Sequence, residues 1–312
     1  MLNPLMTKIT RVIPALLFSV TTFASTWELA LNWKPEPEFG GFFAAATLLK
    51  EKNIDLKIIE GSSGIPTIQM LAAKKVPLAI VSGDELVTAR DRGMDLVAVF
   101  AVFQTDPHAI MVREDSPWKS LDDLLKSPDA TVALQMGLPY VAHLKKKYPN
   151  IKARLVPYQG GIAPFLAQKN YAQQCYVTAE PISARQAGVK TRVFPVSTTG
   201  FDPYVAVLAV HRDTLTKNKV DLDSIIAAVR QGWELYLKQP NEIDQMMQKL
   251  NPSMSLETFA EAGKAQYRLI KPTDDFIVGS MTADRWKTLS MQLKDLGLIK
   301  KTGDPKSYYI SY

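Results

Sequence analysis

The chain has 312 residues, 46% of them hydrophobic and 22% charged. That mix supports one large packed domain or two ordinary ones and excludes a disordered chain. Net charge is +6, but the basic residues are dispersed, and the densest run, Lys145-Lys146-Lys147, falls on an expected helix and reads as a solvated face. With no zinc-finger spacing, aromatic-rich RNA signature or basic arm, nucleic acid is not an expected partner. The only cysteine, Cys175, excludes an internal disulfide. It lies in an apolar run and reads as a buried small hydrophobe. His108, His143 and His211 are scattered far apart, so neither a metal nor any other cofactor is expected.

Taken in order, the chain opens with Lys8 and Arg11, a short apolar run from Val12 to Val20, and small residues around Ala24. This reads as a secretory signal peptide, residues 1–24, too short to span a bilayer. Its removal leaves 35 basic against 31 acidic residues. Strands are expected at 27–33, 54–60, 76–81 and 95–103, with helices at 42–52, 65–74 and 85–92 between them, the alternation of a doubly wound sheet. After Gln104-Thr105-Asp106-Pro107 a second α/β unit follows. Its strands are expected at 108–112, 130–134, 152–157, 173–177 and 191–196, and its helices at 118–125, 139–147, 162–169 and 181–187. After Gly200-Phe201-Asp202-Pro203 comes a strand at 204–211, and then an almost wholly helical tail with helices at 222–238, 241–250, 256–266 and 283–296.

The two breaks have similar content, and each precedes an apolar strand. If both are crossings, residues 25–105 and 203–312 form one lobe and residues 106–202 an inserted second lobe. Such lobes close on a ligand by a hinge, and the cleft is lined by loops at the carboxyl ends of strands.

Four stretches carry a family resemblance: Asn32 through Gly41, Ser82-Gly83-Asp84-Glu85-Leu86-Val87 with Ala89-Arg90 and Gly93, Gln104 through Pro107, and Tyr176 through Pro181. The chain resembles periplasmic substrate-binding proteins of ABC importers, in the group shared with yeast-type thiamine-pyrimidine synthases. That group takes in binders of pyrimidine thiamine precursors, alkanesulfonates and riboflavin. The resemblance implies an α/β, two-lobed type II binding-protein fold with a helical C-terminal tail. It also implies a periplasmic, monomeric protein that hands a small solute to importer permease subunits. The pattern departs at Leu49 through Ile54, where the family carries a glycine-rich element. The synthase branch needs a cysteine-rich motif and a consumed histidine. One cysteine cannot supply that motif, so binding is expected, not catalysis; no nucleophile elbow or Ser/His/Asp spacing points elsewhere.

Twelve residues are candidates for the solute site. Trp33 either stacks on a heteroaromatic ring or packs its strand. Phe39 closes the other face of that ring or packs under the loop, and Gly40 allows close backbone approach. Glu180, after an apolar strand, suits an amino group or protonated ring nitrogen and would repel a sulfonate; the alternative is a first-turn acid on a helix dipole. Asp84 contacts ligand or caps its helix. Ser62 and Ser82 stand at helix starts, where anions bind. Gln104, Asp202 and Tyr204 flank the crossings, and Tyr140 and Tyr158 are placed to cover a ring on closure. The leading expectation is a pyrimidine thiamine precursor. The alternatives are an alkanesulfonate or other organic anion, riboflavin, a synthase-like enzyme, or a periplasmic sensor domain.

Overall fold

The computed structural model describes residues 25–62 and 64–312; the expected signal peptide lies outside them. In chain order the first unit runs β1 (Ser25–Ala30), α1 (Gly40–Lys50), β2 (Ile54–Ile59), α2 (Thr67–Ala72), β3 (Leu78–Val81), α3 (Gly83–Asp91) and β4 (Leu96–Phe103). The second runs β5 (His108–Arg113), α4 (Leu121–Lys126), β6 (Thr131–Leu134), α5 (Pro139–Lys147), β7 (Arg154–Pro157), α6 (Ala163–Ala167), β8 (Tyr171–Tyr176), α7 (Glu180–Gln186) and β9 (Thr191–Pro195). The chain then returns through β10 (Val205–His211) into α8 (Arg212–Lys217), α9 (Lys219–Lys238), α10 (Asn241–Leu250), α11 (Leu256–Ile270) and α12 (Ala283–Asp295). All ten expected strands form. The first stops at Ala30, short of the expected Trp33, because the backbone bends through Asn32 to Pro35.

The strands sort into two five-stranded sheets, ordered β2-β1-β3-β10-β4 and β7-β6-β8-β5-β9. In each sheet three strands are parallel neighbours, and one strand runs antiparallel to both of its partners: β10 in the first and β5 in the second. These are the first strands after the two breaks. A chain that enters a lobe from the side where the parallel strands end must run away from that side, which makes the entering strand antiparallel. β4 (LVAVFAVF) and β10 are apolar almost throughout and lie buried, as strands covered on both faces do. The exposed edge of β4 is covered by bridges from Gly279 and Tyr309 of the tail, which removes an open pairing edge.

The tail fixes the first helix. Gly40 and Gly41 open α1 against the rings of Tyr236 and Trp233 on α9, and Gly232 of α9 lies against the backbone of Gly41 and Ala45. Side chains at these glycines would occupy space already filled, so the two helices meet nearly backbone to backbone. Phe42 packs edge-on to Trp233, with ring centroids 5.8 Å apart. This contact anchors the loop between β1 and α1. A Cβ on Gly232 would lie 2.7 Å from the Ala45 nitrogen and closer still to the Gly41 oxygen. Overpacking of this kind costs about 1–3 kcal/mol. Gly232→Ala is therefore expected to lower Tm by roughly 2–5 °C in a thermal scan; an unchanged Tm would mean that the helices do not approach this closely.

Candidate functional site

In the first sheet β1 is flanked by β2 on one side and β3 on the other, both parallel to it. The order reverses there, and ligands of open α/β sheets sit in the crevice beyond the carboxyl ends at such a point. Beyond β1 lies the loop Asn32 to Phe39, and beyond β3 lies Ser82 to Asp84. From the second sheet, Tyr158 follows β7 and Glu180 opens α7 after β8. Register supplies one more group: β5 runs against β8 with His108 opposite Tyr176, so the first residue of β5 stands where β8 ends. Tyr176 reaches across and packs on the core of the first lobe.

The cleft is acidic. Glu36 and Glu38 come from the first lobe and Glu180 from the second. Glu180 is held in place: Tyr158 Oη donates to Oε1 at 2.7 Å and the Tyr176 backbone N–H to Oε2 at 2.9 Å. Each oxygen keeps further acceptor capacity. Trp33 Nε1 donates to Glu36 Oε1 at 3.1 Å. Burial pushes the Glu36 carboxyl up to about 7; the Trp33 bond and Lys34 pull it back, and Glu180 raises it further. Glu38 rises well above the carboxylate range through burial, then through Glu36 and Glu180, with no opposing hydrogen bond from the described residues. Asn32 adds a buried Oδ1 with no partner among the described residues. Behind them burial raises Asp84 despite its bond from Ser82, and the nearby Asp106 raises it further. The imidazole of His108 lies 2.6 Å from Asp106 through Nδ1. Burial alone would lower its pKa, but Asp106, with Asp84 and Glu180, outweighs that and raises it.

The twelve candidates divide. Trp33, Ser82, Asp84, Tyr140, Tyr158 and Glu180 gather around the cleft. Trp33 remains 39% exposed, which leaves a ring face free. Ser82 and Asp84 also serve α3: Ser82 caps it in a capping box with Glu85, and Asp84 accepts from both the Ser82 hydroxyl and the Glu85 N–H. Tyr140 is buried with its hydroxyl on Gln174. Phe39 is fully buried in the core of the first lobe, and the space beside Gly40 is taken by the Tyr236 ring; packing, not a solute, accounts for both. Ser62 is exposed in the turn after β2. The Gln104 amide donates to the carbonyls of Ala101 and Ser280, so it is spent inside the first lobe.

Asp202 and Tyr204 belong to a clamp on the crossings. Arg285, from α12, donates to the carbonyls of Asp202 and Pro203 at 3.0 and 3.1 Å and to that of Gln104. It pairs with the Asp202 carboxylate at 3.2 Å and lies 4.1 Å above the Tyr204 ring. Asp202 Oδ1 also accepts from the Asp106 N–H at 2.7 Å. One guanidinium thus ties the two crossings together.

Sequence reasoning passed over Glu36, Glu38, Asp106, His108 and Tyr176 as site residues. The strand-end logic that selected Glu180 applies equally to Asp106 and His108. The pairing of His108 with Tyr176 depends on register, which has no local signature.

The family model described as NMT1/THI5 like matches residues 36–243. The chain belongs to the NMT1/THI5-like family. No curated protein matches the sequence. Among solved structures, the periplasmic aliphatic sulphonate binding protein SsuA from Escherichia coli aligns with a TM-score of 0.70 at 16% identity, covering 91% of each chain. The alkanesulfonate-binding protein SsuA from Xanthomonas axonopodis pv. citri, bound to MOPS, aligns with a TM-score of 0.68 at 13% identity, covering 93% of this chain and 99% of that one. A Candida albicans protein described as having the generic periplasmic binding protein structural fold aligns at 0.59 and 15% identity, covering 91% and 96%. These likenesses show the fold: the two-lobed α/β architecture of periplasmic binding proteins.

The raised carboxyls carry a stability signature. A carboxyl with a raised folded-state pKa binds a proton on folding, so its penalty is absent below its ordinary value near 4.5 and complete above about 7. Stability should therefore fall as pH rises through that window. Glu36→Gln keeps an acceptor for Trp33 and removes the charge. It is expected to raise Tm by roughly 2–3 °C at about pH 8, from about 1–2 kcal/mol, and to change it little at about pH 5. Equal Tm values for the two proteins at both pH values would show that Glu36 is not strained.

Proposed function

We propose that the chain is the secreted solute-binding protein of an ABC importer, working as a monomer in the periplasm without catalysis. Residues 25–105 and 203–312 form one lobe and residues 106–202 the other. Its solute is a small nitrogen heteroaromatic rich in hydrogen-bond donors, with a pyrimidine thiamine precursor as the best candidate. Family membership and fold support the binding role. One observation carries the solute class: Glu36, Glu38 and Glu180 converge from both lobes, and the nearest lysine, Lys34, is exposed. Glu180, anchored by Tyr158 and the Tyr176 N–H, offers acceptors and asks the solute for donors or positive charge, while Glu36 and Glu38, whose raised pKa favours the protonated carboxyl, can donate as well as accept. An aminopyrimidine supplies donors through its amino group and a protonated ring nitrogen, while its flat ring lies against Trp33. A sulfonate would bring a full negative charge beside Glu180 and beside carboxyls already disfavoured in their ionised form. The fold shared with sulfonate-binding proteins does not offset that cost.

Calorimetry on the purified mature chain tests this with the hydroxymethyl aminopyrimidine precursor of thiamine and with ethanesulfonate. The pyrimidine is expected to bind and the sulfonate not. Trp33→Ala should weaken pyrimidine binding by about 3–10-fold, an aromatic contact's share, with little change in Tm because Trp33 is half out of the core. Glu180→Gln should weaken it by about 10–100-fold, as loss of a charge-assisted hydrogen bond does. Sulfonate binding that survives Glu180→Gln, with no pyrimidine binding, would overturn the solute class.

A further inference from the structure

We infer that His108 is a specificity-determining residue of the cleft, presenting its Nε2–H to an acceptor atom of the solute. The inference rests on the cleft being the solute site and adds a requirement the carboxylates do not make. The orientation of the ring is set on three sides. Asp106 Oδ1 accepts from both the His108 backbone N–H at 2.9 Å and the ring Nδ1 at 2.6 Å. Tyr140 lies against one side of the imidazole with centroids 5.3 Å apart, and Tyr176 meets it edge-on at 4.5 Å. Asp106 is itself fixed by its bond to Asp202 and, through Asp202, by Arg285. With Nδ1 turned to the crossing, Nε2 is on the far side of the ring. It has no hydrogen-bond partner among the described residues, and 17% of the side chain stays accessible.

The protonation state follows from what surrounds the ring. Asp106 precedes it on the crossing, Asp84 faces it from α3 and Glu180 from α7; Tyr140 on α5 and Tyr176 on β8 complete the shell with neutral phenols. Three carboxylates and, among the described residues, no cation beside the imidazole favour the imidazolium, in which both nitrogens donate. A charged N–H closed into a cleft needs an acceptor. The cleft therefore asks for two features on one small molecule: donors toward Glu180, with Glu36 and Glu38 able to accept or donate beside it, and a lone pair, from a ring nitrogen, hydroxyl or carbonyl, toward His108. A simple amine satisfies only the first and a simple sulfonate only the second. An aminopyrimidine carries both on one ring edge or on adjacent substituents.

Nitrogen NMR of the three labelled histidines tests this in the intact mature chain, with His108→Gln assigning the signal. His108 is expected to be imidazolium at about pH 7.5 and its Nε2 signal to move when the hydroxymethyl aminopyrimidine is added. His108→Gln should weaken that binding by about tenfold or more. Asp106→Asn should leave His108 neutral at the same pH and weaken binding by a comparable factor, which covers the case in which His108→Gln does not fold. If ethanesulfonate binds in place of the pyrimidine, the proposed solute class fails, yet His108 still stands if its loss weakens the sulfonate tenfold. If neither compound binds, the titration alone decides: an imidazolium upholds the role. A neutral His108 in the wild-type protein, or variant affinity within about twofold of wild type for the compound that binds, would overturn it.

Discussion

Carboxylates resist being crowded out of water, and this cleft crowds them. Like charges held near one another out of water repel, on top of the cost of burial itself. Glu36, Glu38 and Glu180 accept that repulsion together with burial, and the bond from Trp33 and the distant charge of Lys34 offset only part of it for Glu36. A stable fold has no need of such an arrangement. Groups whose ionisation is pushed this far concentrate at functional sites, where a ligand completes what the protein leaves unbalanced. Glu180 comes from the second sheet and Glu36 and Glu38 from the loop after β1, so ionising all three weighs against this arrangement, and a donor beside Glu180 would relieve it.

The scaffold places these charges with ordinary means. Parallel strands deliver their carboxyl ends to one side of each sheet, and the antiparallel entry strands β5 and β10 start on that same side. The site is thus assembled from strand ends and from the two crossings. Where Arg285 binds carbonyls of both crossings it joins the tail helix to them, and the chain of contacts Arg285–Asp202–Asp106–His108 runs from the crossings to the cleft floor. Outside the cleft the lobes also meet through Arg185 with Glu261, Gln186 with Thr258, and Lys146 with Asp295. These contacts are mostly exposed, and pairs of that kind contribute a few tenths of a kcal/mol to about 1 kcal/mol. They can shape the closed geometry without locking it.

Periodicity and punctuation made the fold legible in the sequence. Every strand carried its apolar run, and the two Asp-Pro breaks stood where the chain leaves one sheet for the other. Glu180 was legible because it directly follows an apolar strand and precedes a proline. At Gly40 a glycine that makes room for a ligand and one that makes room for Tyr236 look the same until the far helix is in place, and at Phe39 packing is the one of its two readings that the fold realises. Gln104 and Tyr204 were rightly seen beside the crossings, but their side chains turn into the lobe, and the direction a side chain takes at a bend has no sequence period. His108 was set aside because three scattered histidines cannot hold a metal. Its place beside Tyr176 comes from antiparallel register, a long-range fact.

The crowding of the cleft carboxyls is measured most directly on the ligand-free mature protein. Carbon NMR of labelled glutamate carboxyls, followed through a pH titration, reads each group's own ionisation. A Glu36 signal with its midpoint near 7, disappearing in Glu36→Gln, is expected. If every glutamate titrates below about 5, in the ordinary range, the cleft carboxylates are not crowded, and the case for a donor-rich solute fails with them.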